Sequence, residues 1–474
     1  AVGHNVGAGI TSGIKNTLVG GLAGDALTEG QENVAVGYGA LSTETAHGRN
    51  TAVGASALEN QLAGAEGHNT AVGYGAGYQV TTGINNTLVG SLAGDAITTG
   101  EGNTSLGYGS LGGNVTGDYN TAIGYQALLT YNSGDTSGFN VVIGTNAGLS
   151  MTSGVSNVLI GSFAGDGLTT GLDNVAIGTG SLSSANAGDY SVAIGRDALA
   201  SQNAGSAGVD MYNTAVGYQA GQSVTTGTAN TIIGALAGDA LTTGIDNIVM
   251  GYNALSAEDT GSRNIAIGRE ALRDLNHNDS GYNVAIGHNA GKSVTTGTAI
   301  GNLAMTECTT GTVNTAVGAQ AMSVGITTGD YNVALGYKAL QDVTSANYNV
   351  ALGSQAMLQV SSGSQNVAIG FNALSAETLG QRSVAIGDHA LATLNNNANN
   401  YNTAVGYNAG GSVSTGGFNT FIGGEAGDVT TGAENTVVGY AAGGGTTTGG
   451  NNTFIGTSAG LANEGGGNNI CLGR

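Results

Sequence analysis

Asn50-Thr51-Ala52-Val53-Gly54 decides the fold, because the chain writes variants of it from Ala1-Val2-Gly3 to Ile470-Cys471-Leu472-Gly473. A fixed internal period outranks every other sequence signal, since it dictates a repeat architecture. With the glycine as phase marker (position 0), the motif recurs 28 times, at Gly20, Gly37, Gly54, Gly73 and onward, and 19 of the 27 intervals are 17 residues. Each coil writes one short β-branched strand between turn residues. The expectation is an all-β solenoid, a parallel β-roll or β-helix of about 28 coils. Helix is the competing reading for pieces such as Ala40-Leu41, but glycine at about 1 kcal/mol each in a helix interior leaves none that could persist.

Asn stands at position −4 in 24 of 27 coils, as at Asn16, Asn33, Asn50 and Asn69; Ser191, Gly297 and Ser383 are the exceptions. In a parallel stack identical residues align vertically, so these amides form a hydrogen-bonded column. A turn-forming role through the side chain is the alternative. Stretches such as Val80-Thr81-Thr82-Gly83 read as a second strand ending in a glycine turn. A slower rhythm lies above the coil: intervals of 19, 20, 22, 19 and 19 residues end at Gly73, Gly144, Gly217, Gly287 and Gly406. Residues 1–286 therefore form four super-repeats of four coils. Residues 287–335 form a shortened three-coil unit with a 14-residue step ending at Gly301, and 336–474 hold further coils. All belong to one continuous solenoid domain. The chain opens and closes inside a repeat, so it is expected to be a piece of a longer protein.

Composition narrows the function. Glycine supplies 88 of 474 residues, proline and tryptophan none, which excludes collagen. Val, Ile and Leu in register exclude a disordered linker. A net charge of −21 leaves no basic footprint for nucleic acid. No apolar run reaches the 18 or so residues of a membrane span, so no membrane insertion is expected. Cys308 and Cys471, about ten coils apart, cannot meet at roughly 4.8 Å per coil and read as buried free thiols. His4, His47, His68, His277, His288 and His389 scatter over different coil positions and read as solvated loop residues. Gly291-Lys292-Ser293 has the wrong glycine spacing for a phosphate loop. No catalytic constellation, cofactor or enzyme activity is expected; a polysaccharide-degrading β-helix would need carboxylates clustered on adjacent coils.

Two adjacent apolar positions precede each marker glycine, and neighbours in a strand point to opposite faces. A narrow roll buries one face, so the other row asks for a partner chain, with small Ala on that row permitting close approach. A cyclic oligomer about the long axis is expected. The Asn-x-Ala-Val/Ile-Gly coil resembles the head repeat of trimeric autotransporter adhesins, the YadA-like head, and is similar to repeats of phage-type trimeric tail fibres. The resemblance spans essentially the whole chain, although the coil here is somewhat longer than the family's. It implies a left-handed parallel β-roll assembled as a homotrimer on a cell or virion surface.

The function expected is that of an extracellular structural fibre and adhesin-type protein contacting a glycan or protein on a host or neighbouring cell, or alternatively a viral tail fibre. At about 4.8 Å per coil the rod would be roughly 130 Å long. Candidate contact features are the inserted loops (62–68, 202–211 and 394–400) and the tyrosine columns, one directly after the marker glycine (Tyr38, Tyr74, Tyr108, Tyr125) and one just before the Asn (Tyr119, Tyr190, Tyr212). Asp25, Asp95, Asp166 and Asp239 recur once per super-repeat. They read as solvated or turn-capping residues, with Ca²⁺ ligation across a trimer as the alternative. Thr81-Thr82, Thr98-Thr99 and Thr242-Thr243 raise an ice-binding array, which the third and fourth coils interrupt.

Overall fold

A computed structural model describes residues 1–134, 136–276, 281–325 and 327–474. The chain divides into two compact units, Ala1–Asp246 and Asn247–Arg474. Each is a β-solenoid in which every coil contributes a strand of about three residues, positions −3 to −1. No helix occurs among the described residues.

The strands pair parallel and in register with the repeat. In the first unit Val34, Ala35 and Val36 stand opposite Thr51, Ala52 and Val53. In the second, Val333, Ala334 and Leu335 stand opposite Val350, Ala351 and Leu352. Register survives every irregular interval: Thr51 pairs with Thr70, Val192 with Thr214, and across the short step Val284 pairs with Thr298. Extra residues are looped out, because a one-residue slip would turn the buried row to solvent.

The marker glycines from Gly3 to Gly456 leave no room for a side chain. Gly54 sits at φ +140°, and a Cβ there would lie 2.2 Å from the carbonyl oxygen of Gly73 in the next coil. Backbone conformation and close approach each demand glycine at this point. The chain then makes a tight corner through left-handed residues at +2 and +4, such as Ser56 (φ 58°) and Leu58 (φ 50°).

Position −2 points inward: Leu18, Ala35, Ala52, Ala71 and Leu88 are buried, while the flanking −3 and −1 residues are partly exposed. This corrects the expected facing of the small-residue row. Ala lines the interior, and the outward row at −1 is Val, Ile, Leu or Met. The interior is completed by +3, +4 and +7, as at Ala57, Leu58 and Val80. The core balances its volume between −2 and +4. Ala35 and Ala52 face Leu41 and Leu58, whereas Leu18 and Leu88 accompany Gly24 and Gly94. A Cβ on Gly94 would come 2.8 Å from a Leu88 methyl, so the two positions cannot both be large.

The expected second strand is mostly absent. The Thr-Thr stretches are bends, and among the described residues the second-strand pairings are limited to Gly188–Asp189 with Val209–Asp210 and isolated bridges such as Cys308 to Thr327. Threonine hydroxyls substitute for a regular ladder: Thr81 Oγ1 donates to the Thr98 carbonyl at 3.1 Å, and Thr98 Oγ1 to that of Val115 at 3.0 Å.

The Asn column is a buried ladder. Asn33, Asn50, Asn69 and Asn86 are fully enclosed. The side-chain oxygen of Asn50 accepts from the Asn69 backbone N–H at 3.1 Å, and that of Asn69 from the Asn86 N–H at 2.8 Å. In most coils the amide nitrogen crosses the interior to a turn carbonyl, from Asn16 to Gly30 (2.7 Å) and from Asn69 to Gly83 (2.9 Å), whereas that of Asn50, beside the first inserted loop, is enclosed without a partner. The exceptions fit the same scheme. Ser191, Gly297 and Ser383 each donate their backbone N–H to the preceding Asn oxygen, at 2.9, 2.8 and 2.9 Å. Ladder and turn roles thus belong to one side chain, which pairs polar backbone groups that stacking would otherwise bury unmet.

Candidate binding surface

Past the marker glycine the chain turns a corner, and positions +1, +2 and +5 line up on the outside of the stack. Asp25, Asp95, Asp166 and Asp239 occupy +5. They are partly buried, and burial holds the carboxyls of Asp95, Asp166 and Asp239 above the ordinary aspartate range. One carboxylate oxygen of Asp25, Asp166 and Asp239 is enclosed without a protein partner. The four stand apart, and no three His, Cys, Asp or Glu side chains converge among the described residues. Within one chain these positions therefore bring no Ca²⁺ ligand set together.

The tyrosine columns differ in what covers them. Just before the Asn, at −5, rings stack on the next coil's ring: Tyr119 on Phe139 (5.6 Å), Tyr190 on Tyr212 (5.5 Å) and Tyr331 on Tyr348 (5.2 Å). At +1, Tyr108 stacks on Tyr125 at 5.5 Å, and Lys338 lies 5.3 Å over the ring of Tyr337. Tyr38 and Tyr74 are 64% and 63% exposed, and among the described residues no ring or cation covers either. They flank a groove of about 310 Å³ whose lining includes Ser56, Glu59, Tyr78 and Asp95.

The inserted loops are anchored at their bases and exposed at their tips. Gln61 donates to the Asn50 oxygen at 3.1 Å. Gln202 bridges Ser191 (2.8 Å) and Asn213 (2.9 Å), so a glutamine patches the ladder where the coil is longer. Residues 64–65 and 205–208 are exposed. A third anchor was not foreseen from the sequence: Glu44, Glu258 and Glu377, all at +7, are fully buried. Glu44 accepts the backbone N–H groups of Thr45, Ala46, His47 and Ala63 at 2.9–3.2 Å. Glu377 accepts those of Thr378, Leu379 and Gly380, plus the Asn400 amide. The one available cue is positional, since each glutamate falls in the +7 column that in other coils holds Leu27, Val80 or Ile97, or a buried amide such as Gln61 or Gln202.

Of the remaining candidates, Cys308 is buried at +7, and burial pushes its thiol up to about 11. Cys471 shares the −2 row with Phe454 but is only partly buried. His277 lies outside the described residues. The Thr-Thr stretches spend their first hydroxyl on inter-coil bonds, Thr225 Oγ1 reaching the Thr242 carbonyl at 3.2 Å, and this leaves a poorer outward array for ice. No helix of the described residues is long and apolar enough to cross a membrane. No family model matches the chain, and no curated protein matches it.

Proposed function

We propose that this chain is one protomer of a homotrimeric extracellular fibre with the left-handed YadA-like roll, an adhesin-type protein that projects a repetitive contact surface. The outward strand face carries the reading. Position −1 is Val, Ile, Leu or Met in all 28 coils, and position −3 is Thr, Val or Ile in all 27 where it exists. No charge interrupts either column in a chain of net charge −21. Exposures of 46% at Leu106, 42% at Leu335 and 43% at Ile455 put this apolar strip on the surface of the single chain. Apolar surface repeated coil after coil within each unit marks an interface, and a repeating strip matches the same strip on an identical chain under cyclic symmetry.

A binding rather than catalytic role follows from repetition: the same shallow corner recurs along the stack and supports many weak contacts acting together. Cell-surface or virion-surface placement, and a glycan or protein target, belong to this proposal. Phage-type tail fibres would use the same assembly.

Native mass spectrometry of the full chain tests the assembly. A trimer is expected, and Leu106→Glu with Leu335→Glu should shift it to monomer, because each would bury an unpaired carboxylate three times around the axis. A wild-type monomer at micromolar concentration would sink the proposal.

A further inference from the structure

We propose that the groove flanked by Tyr38 and Tyr74 holds one pyranose ring of a neutral or amino-substituted glycan. The inference rests on reading the chain as a surface-binding fibre and names a ligand class and a place for it. Tyr38, Ala55 and Tyr74 hold the same +1 position on three successive coils. Where tyrosines occupy consecutive coils, as at Tyr108 and Tyr125, the rings stack on each other at 5.5 Å and leave no room. With Ala55 between, the backbone positions of the two tyrosines stand two strand spacings apart, roughly 9.6 Å. That spacing leaves both rings unstacked and exposed along the groove, where a saturated ring can lie against them.

The walls and edge define the ligand. The exposed aromatic faces offer apolar, polarisable surface to the C–H face of a sugar. Glu59 and Asp95 supply acceptors for hydroxyl or amine donors, and Ser56 either donates or accepts. No Lys or Arg lines the groove, so a sulfated or carboxylated sugar would meet only like charge. The same charge disfavours a nucleotide. At about 310 Å³ the groove is at the small end of ligand sites, which are about 300 Å³ and upward.

Hydroxyl-radical footprinting of the full chain, read by peptide mass spectrometry, tests the site with methyl β-glucoside, methyl β-galactoside, N-acetylglucosamine and glucosamine as probes. At least one probe should protect Tyr38 and Tyr74 relative to Tyr125, whose ring is already stacked. Ala55→Leu should abolish that protection by filling the slot. It should fold normally, because the adjacent coils carry tyrosine at the same outward position. Sialic acid should protect neither residue. Absence of protection by all four probes would overturn the proposal, as would protection that survives Ala55→Leu. Stronger protection by tetramethylammonium than by any sugar would also overturn it, in favour of a cation cage. Native mass spectrometry of the same samples separates the two readings: a trimer without protection removes the slot alone, and a protected monomer removes the assembly alone.

Discussion

At the scale of single residues the repeat is enforced by chemistry that tolerates little substitution. Gly54→Ala would place a methyl 2.2 Å from the Gly73 oxygen at φ +140°. It is expected to cost at least about 2 kcal/mol, by the usual toll for such backbone plus the clash. Asn69→Ala would leave the Asn86 N–H and the Gly83 carbonyl unmet in the interior, a loss of about 2–4 kcal/mol for two buried groups. In a repeat array both losses stay near the altered coil, so hydrogen exchange of the flanking strands is the measurement, and unchanged protection there would refute the ladder's role. Glu377 makes a pH prediction. Burial raises its carboxyl above the ordinary 4.5, with its backbone hydrogen bonds opposing but not cancelling the rise. The folded chain then binds that proton more tightly than the unfolded chain. Its contribution therefore favours folding at acid pH and diminishes as pH rises through and above 4.5. Glu377→Gln should flatten this part of the stability–pH curve, measured by denaturant midpoints between acid and neutral pH.

At the scale of the coil, strand and corner are coupled through volume. Leu88 reaches toward both Gly77 and Gly94, filling space that in neighbouring coils belongs to a +4 leucine. Leu88→Ala should open a cavity worth about 2–5 kcal/mol, while Leu88→Ala with Gly94→Leu would recreate the Ala52–Leu58 pairing and recover part of the loss. Thermal denaturation of the single and double variants measures the coupling, and simple additivity would show that the two positions do not trade volume. The insertions follow the same logic. Their bases are fastened by Gln61, Gln202 and Glu377, so the strand register passes them unchanged. Loop tips are thereby free to vary without disturbing the stack.

At the scale of the whole molecule, inward and outward rows have separate tasks. The inner row joins coil to coil, and the outer row of β-branched and aliphatic residues is what a second and third chain would cover. If it is covered, the melting temperature should rise with protein concentration in wild type and lose that dependence in the Leu106→Glu, Leu335→Glu variant. The thiols offer an independent check on coil packing. Cys308, buried with its thiol raised to about 11, should resist alkylation until the coils open. Cys471 is partly exposed and should react first; equal rates would contradict the packing around Cys308.

The sequence by itself determined the period, the all-β parallel stack, the alignment of Asn16, Asn33, Asn50 and Asn69, and the places where coils lengthen or shorten. These are legible because a solenoid converts sequence spacing directly into vertical neighbours. The tertiary structure alone decided which apolar row is inside. Ala52 and Val53 are both apolar, and only the closed corner through Ser56 and Leu58 aims the first inward. It also decided that Glu44, Glu258 and Glu377 are interior, since their burial depends on backbone N–H groups that a turn gathers around one carboxylate. The Tyr38–Tyr74 slot lies between these cases. Its spacing is written in the column, but the groove beside Glu59 and Asp95 exists only once the coils are stacked, because a void is a property of packing and not of any residue.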